Sequence, residues 1–249
     1  MYPIGLAPMS GLEERNCVEP CASSISGSTI SPGQASTFDP VVSLHIDSKG
    51  LALIRLPLPP SQLEIEIRKS DGSLAYTSKR SKRCSGNCSL LDASGTPLIT
   101  TKYFFGPCRE PIISLLDCNK VPEQNVKLTS KWNSRKYTYL LPDGRTFAWQ
   151  YAGKKTLATF GIHGAKSTAL VLKLGGEIVA ALIRNEDTRT PGTTYFSAGN
   201  GGELLLGAAV NNEDGLSEEL IVATCLLMLK KECDRRRAVQ FMVISGALY

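Results

Sequence analysis

The chain has 249 residues, 42% of them hydrophobic, which is enough for one large domain with a real core. Its formal net charge of +5 permits contact with acidic lipid heads or nucleic acid without demanding either. No stretch has the roughly 20 apolar residues of a membrane-spanning helix, and Met1 to Asn16 lacks the basic start and continuous apolar run of a secretion signal, so the expected location is intracellular.

Residues 1–40 are rich in Ser, Gly and Pro, show neither helical nor alternating periodicity, and read as a flexible tail. Cys17 and Cys21 within it have no apolar or amphipathic partner segment that would make them acylation sites. From Val41 onward, strand and turn signals alternate, and residues 41–249 read as one β-rich domain. Leu63, Ile65 and Ile67 alternate with Glu64, Glu66 and Arg68, the period of a half-buried strand. The turn Ser70-Asp71-Gly72 follows, where Asp-Gly supplies the positive backbone angles of a tight hairpin. The same grammar recurs at Ala93-Ser94-Gly95, at Pro142-Asp143-Gly144 between KYTYLL and TFAWQY, and at Gly175-Gly176 between ALVLKL and EIVAALIR. Gly199 to Gly202, GNGG, has no following helix and Lys to make a phosphate loop and reads as a flexible turn before the strand ELLLGAAV.

Leu220 to Leu229, LIVATCLLML, is apolar at every position but Thr224. A helix greasy all round must be enclosed on all sides, and at about 15 Å this one is too short to cross a bilayer. Ser217 is placed to cap it, Glu218 and Glu219 suit the positive end of the helix dipole, and Arg235, Arg236 and Arg237 suit the negative end, which puts the helix at residues 217–237. The segment VQFMVIS after it reads as a closing strand. The expected architecture is therefore mainly β: about twelve strands in a closed barrel, wide enough to be threaded by the C-terminal helix. Burying the helix is worth more than about 10 kcal/mol gross.

SLAYTSKR, SLLDASGTPLITT, YTYLLPDGRTFAWQY, ELLLGAAV and LSEELIVATCLLMLKKECDRR together resemble the tubby C-terminal-like superfamily, which includes LURP-one-related proteins and phospholipid scramblases, and in particular a fungal branch of it. The resemblance covers residues 41–244 and implies a twelve-stranded barrel around a hydrophobic C-terminal helix. It also implies a non-enzymatic binding module that docks on phosphoinositide or other anionic lipid headgroups. The scramblase calcium segment is not matched: Asn211 to Gly215, NNEDG, lacks the ligand spacing of a calcium loop and reads as a turn.

The residues that fit such docking are Lys79, Arg80, Lys82 and Arg83, four cations at the end of a hairpin strand. The same cluster suits a nuclear-localisation signal, which leaves the nucleus as a second location, and its bland alternative is a solvated loop. Lys154 and Lys155 would join it if their loop lay on the same rim. Nucleic acid is not the expected partner. A protein-interaction scaffold, working through the tail or an exposed strand edge, is the alternative function.

No cofactor, metal or catalytic residue is expected. His45 lies on a strand and His163 in a Gly-rich loop, with no acid or nucleophile at a diagnostic spacing. Among the eight cysteines, Cys84, Cys88, Cys108 and Cys118 come nearest to a zinc pattern, but the second pair is too widely spaced. Cys225 reads as a small hydrophobe, and Trp132 and Trp149 as core or cross-strand residues.

Overall fold

The computed structural model describes residues 38–52, 62–82, 85–104, 110–116, 122–129, 134–162, 166–212, 215–244 and 246. Nearly all of the expected tail, with Cys17 and Cys21, lies outside them.

Twelve strands follow one another: β1 (Pro40–Leu51), β2 (Glu64–Lys69), β3 (Leu74–Arg80), β4 (Cys88–Asp92), β5 (Pro97–Lys102), β6 (Ile112–Leu116), β7 (Pro122–Leu128), β8 (Tyr137–Leu140), β9 (Thr146–Tyr151), β10 (Thr168–Leu174), β11 (Glu177–Arg184) and β12 (Ala198–Gly207). A short helix α1 (Lys154–Thr159) stands between β9 and β10, and α2 (Glu218–Ile244) ends the chain. Each strand pairs antiparallel with its sequence neighbours, and β12 returns to pair with β1, Leu44 opposite Leu204, which closes the barrel as expected.

The turns fall where Gly places them, with a different geometry from that expected of Asp-Gly. Gly72, Gly95 and Gly144 have φ of +82°, +86° and +87°, whereas Asp71 and Asp143 keep negative φ. The Asp carboxylates instead accept the amide two residues on: Asp71 Oδ1 from Ser73 N at 2.8 Å and Asp143 Oδ1 from Arg145 N at 2.9 Å. These are three-residue loops closed by a bulge at Gly, a second favoured solution to the strand twist. At Gly175 and Gly176 both residues have positive φ, and the hairpin is the tight two-residue kind.

GNGG is not a turn. It lies inside β12, between β1 and β11, and those backbones come too close to Gly201 and Gly202 for side chains there. A Cβ on Gly201 would fall 1.8 Å from the Ile46 carbonyl oxygen.

Inside the ring runs α2. Every residue from Leu220 to Leu229 is buried, packed with Leu44, Ile67, Ile113, Tyr139, Trp149, Leu172 and Leu204 in one core cluster. The one polar residue of that run, Thr224, donates to the Leu220 carbonyl at 2.8 Å and accepts the Trp149 indole N–H at 3.0 Å, so neither side chain is buried unpaired. Ser217 caps the helix as expected, its Oγ accepting the Leu220 amide at 3.3 Å.

The far end of α2 differs from expectation. The helix runs 27 residues to Ile244, and VQFMVI is its last part rather than a strand. With β1 paired to β12 the ring offers no edge for another strand, and extending an existing helix is cheaper than nucleating a new element. The arginines at 235 to 237 consequently lie before the last turn, which holds no basic residue.

Candidate functional site

The ring gives the molecule two ends, and α2 identifies them. At its first turn Glu218 accepts a hydrogen bond from Tyr76 of β3 at 2.9 Å. At the other end, here called the mouth, the helix meets Tyr103 just past β5, Tyr151 of β9, Arg184 of β11 and Gly199 of β12, then continues outward.

The mouth is built around Glu232. Arg184 grips its carboxylate through Nη1 at 2.8 Å and Nη2 at 3.2 Å, the Gly199 amide donates to it at 2.9 Å, and the Tyr151 hydroxyl donates to Oε1. Burial pushes the Glu232 carboxyl up, but the Arg184 charge and these hydrogen bonds outweigh it and hold the group below its usual range. Gly199 is held to Gly by its φ of +70° and by the close approach of α2, since a Cβ there would meet the Leu229 carbonyl oxygen at 2.4 Å. On the next face of the helix Asp234 takes the Tyr103 hydroxyl and pairs with Lys230, while Lys230 and Lys231 lie 4.7 and 5.0 Å from the Tyr103 ring centroid. Burial first, then the charges of Arg80 and Arg237, hold the Lys230 ammonium below its usual value against the pull of Asp234.

Two cavities at this end border α2. One of about 390 Å³ lies beside Arg184, Glu232, Arg135, Arg235 and Arg236. The other, of about 780 Å³, lies between Gly86, Tyr103, Phe104 and the Asp234, Arg237 and Phe241 side of α2.

Beyond the mouth α2 turns apolar and exposed. Phe241 is 68% accessible and Val243 56%, with Val239 and Met242 also exposed, and Phe196 of the loop before β12 is 59% accessible. Arg235 and Arg236 stand one to two turns back; the Arg235 guanidinium donates to the Ser134 carbonyl at 3.1 Å and the Tyr137 hydroxyl at 2.8 Å.

Strand alternation divides the expected cation cluster. Ser78 lies opposite Ile65 and faces inward, and Arg80, two residues on, shares that face. Lys79 is exposed on the outer wall, opposite Glu64. Lys82 is exposed past the strand end, and Arg83 lies outside the described residues. Since β3 runs from Tyr76, beside Glu218, to Arg80, close to Lys230, the cluster sits at the mouth end. Lys154 and Lys155 do not join it. They are exposed on α1, which follows β9, and β9 is six strands from β3 in either direction around the ring.

His45 is half-buried on β1, and Cys88 is a free thiol on β4. His163, Trp132, Cys84, Cys108 and Cys118 lie outside the described residues. No helix among the described residues is long and apolar enough to cross a membrane.

The Arg184–Glu232 pair and the exposed end of α2 were not singled out by the sequence reading. A signal existed for the second: no Gly, Pro or Asn separates Arg237 from Val239, so nothing ends the helix there.

No protein-family model and no curated protein matches the chain. The X-ray structure of a protein from Arabidopsis thaliana is similar to it at a TM-score of 0.41 and 15% sequence identity, covering 78% of this chain and 94% of that one.

Proposed function

We propose that the chain is a non-enzymatic, tubby-like binding module that docks mouth-first on anionic lipid surfaces. The observation that carries this reading is the end of α2, where exposed Val239, Phe241, Met242 and Val243 follow directly on Arg235 and Arg236. Exposed apolar side chains next to cations fit the boundary between headgroups and acyl chains, the apolar groups entering it and the cations meeting lipid phosphates. Lys79 and Lys82 lie at the same end and add to that field, with Arg80 on the inner face of the rim and Arg83 beside them in sequence. A barrel interior occupied by α2 side chains leaves the binding surface on the outside.

Sedimentation with phosphatidylserine vesicles, with and without phosphoinositide, across a salt series tests the reading. Binding should fall with salt, weaken in Lys79→Ala/Lys82→Ala, and be lost in Phe241→Ser/Val243→Ser. Equal binding to neutral phosphatidylcholine, or none at low salt, contradicts it.

The alternative reading, a protein-interaction scaffold, gains less from strand edges in a closed ring, where each described strand has a neighbour on both sides. It then rests mainly on the tail. Recovery of one stoichiometric protein partner in high salt, with vesicles ignored, would favour it.

A further inference from the structure

The 390 Å³ cavity at the mouth has an unbalanced charge. Four arginines line it, Arg135, Arg184, Arg235 and Arg236, and Glu232 is the one carboxylate among its described lining residues. That carboxylate is already committed to Arg184 by two hydrogen bonds. Arg235 gives its hydrogen bonds to neutral oxygens of Ser134 and Tyr137, and Arg135 lies 5.9 Å from the centre of the Tyr151 ring, so neither charge is cancelled there.

Two donors add a second observation. Arg184, 5% exposed, keeps its Nε without a hydrogen-bond partner, and Arg236 Nη1 is buried in the same condition among the described residues. Both atoms lie behind the cavity surface, so these two guanidiniums bring to its wall donor capacity that no described residue takes up.

We infer that this cavity binds a small molecule carrying a phosphoryl group. Guanidinium forks match phosphate oxygens in pairs, and the two uncancelled charges of Arg135 and Arg235 offset the double charge of a phosphomonoester. The volume lies within the usual range of small-molecule sites, about 300–1,000 Å³, and leaves room for more than the phosphate itself. Tyr151, Tyr195 and Phe196 are among the residues that line it. The phosphoryl group could belong to a soluble ester or to a lipid headgroup, and the two sources are separable by experiment.

The full chain is titrated with glycerol 3-phosphate, its melting temperature compared with that in chloride at matched ionic strength, and the heat of binding measured directly. Saturable stabilisation is expected, with affinity reduced about tenfold or more in Arg236→Gln and in Arg135→Gln while both variants melt in chloride as the parent does. Stabilisation that does not saturate, or that the variants retain in full, overturns the inference. Vesicles of phosphatidic acid then identify the source. Competition between vesicles and the soluble ester assigns the group to a headgroup, and binding of the ester alone assigns it to a free phosphorylated molecule. The site shares Arg235 and Arg236 with the docking surface, yet the two fail separately: a chain that sediments with vesicles and takes no phosphoryl ester refutes this site alone.

Discussion

Glu232 of the central helix and Arg184 of β11 form a buried, two-pronged ion pair, with Nη1 to Oε2 at 2.8 Å and Nη2 to Oε1 at 3.2 Å. It locks the helix to the wall at the level where the apolar core ends. Removing one partner strands the other charge, so Glu232→Leu or Arg184→Met should each lower the unfolding free energy by about 3–5 kcal/mol. The double variant should recover much of that loss. Urea midpoints with an unchanged slope provide the measurement.

The same pair sets the acid limb of stability. The folded Glu232 carboxyl is held below its ordinary value of 4.5, so the unfolded chain binds a proton there more readily than the folded one. Its contribution is complete above that pH and is lost as pH falls through the lower folded value. Glu232→Gln should therefore flatten the fall in stability below about pH 4.5, which denaturant melts at a series of acid pH values would register.

Thr224 and Trp149 satisfy each other inside the barrel at 3.0 Å. Thr224→Val keeps the shape of the side chain and leaves the indole N–H unpaired, with an expected loss of about 1–3 kcal/mol. Adding Trp149→Phe to it removes the orphaned donor, and a double-mutant cycle should show the two changes to be coupled.

Gly201 tests the closeness of β12 to β1. Since a Cβ there would sit 1.8 Å from the Ile46 carbonyl oxygen, Gly201→Ala must push the two strands apart where the barrel closes. Loss of the cooperative unfolding transition, or a fall of more than about 3 kcal/mol, is expected. A melt indistinguishable from the parent would mean that β12 does not approach β1 as described.

The architecture was legible because its signals are periodic. Alternation in Leu63 to Ile67, glycines at the turns, and a helix apolar on every face together imply a barrel with a filled centre. The mouth was harder to read because it forms from single residues brought together by closure. Arg184 ends an apolar strand and Glu232, 48 positions later, follows the apolar run of α2, and nothing local couples them. The string of cations from Lys79 to Lys82 is one run in sequence, but the alternation of β3 sends Lys79 outward and Arg80 inward. VQFMVI has the β-branched composition of a strand, and only the closure of β1 on β12 shows that no strand position is left for it.

Phe241→Trp tests mouth-first docking most directly, because position 241 is the most exposed of the large hydrophobics at the end of α2, whereas Trp149 is fully buried in the core. On adding phosphatidylserine vesicles at low salt, the emission of this variant should shift to the blue beyond any change in the parent chain, and reverse in high salt. Vesicle binding with no shift at position 241 would contradict the account, since the membrane would then contact some other face of the barrel.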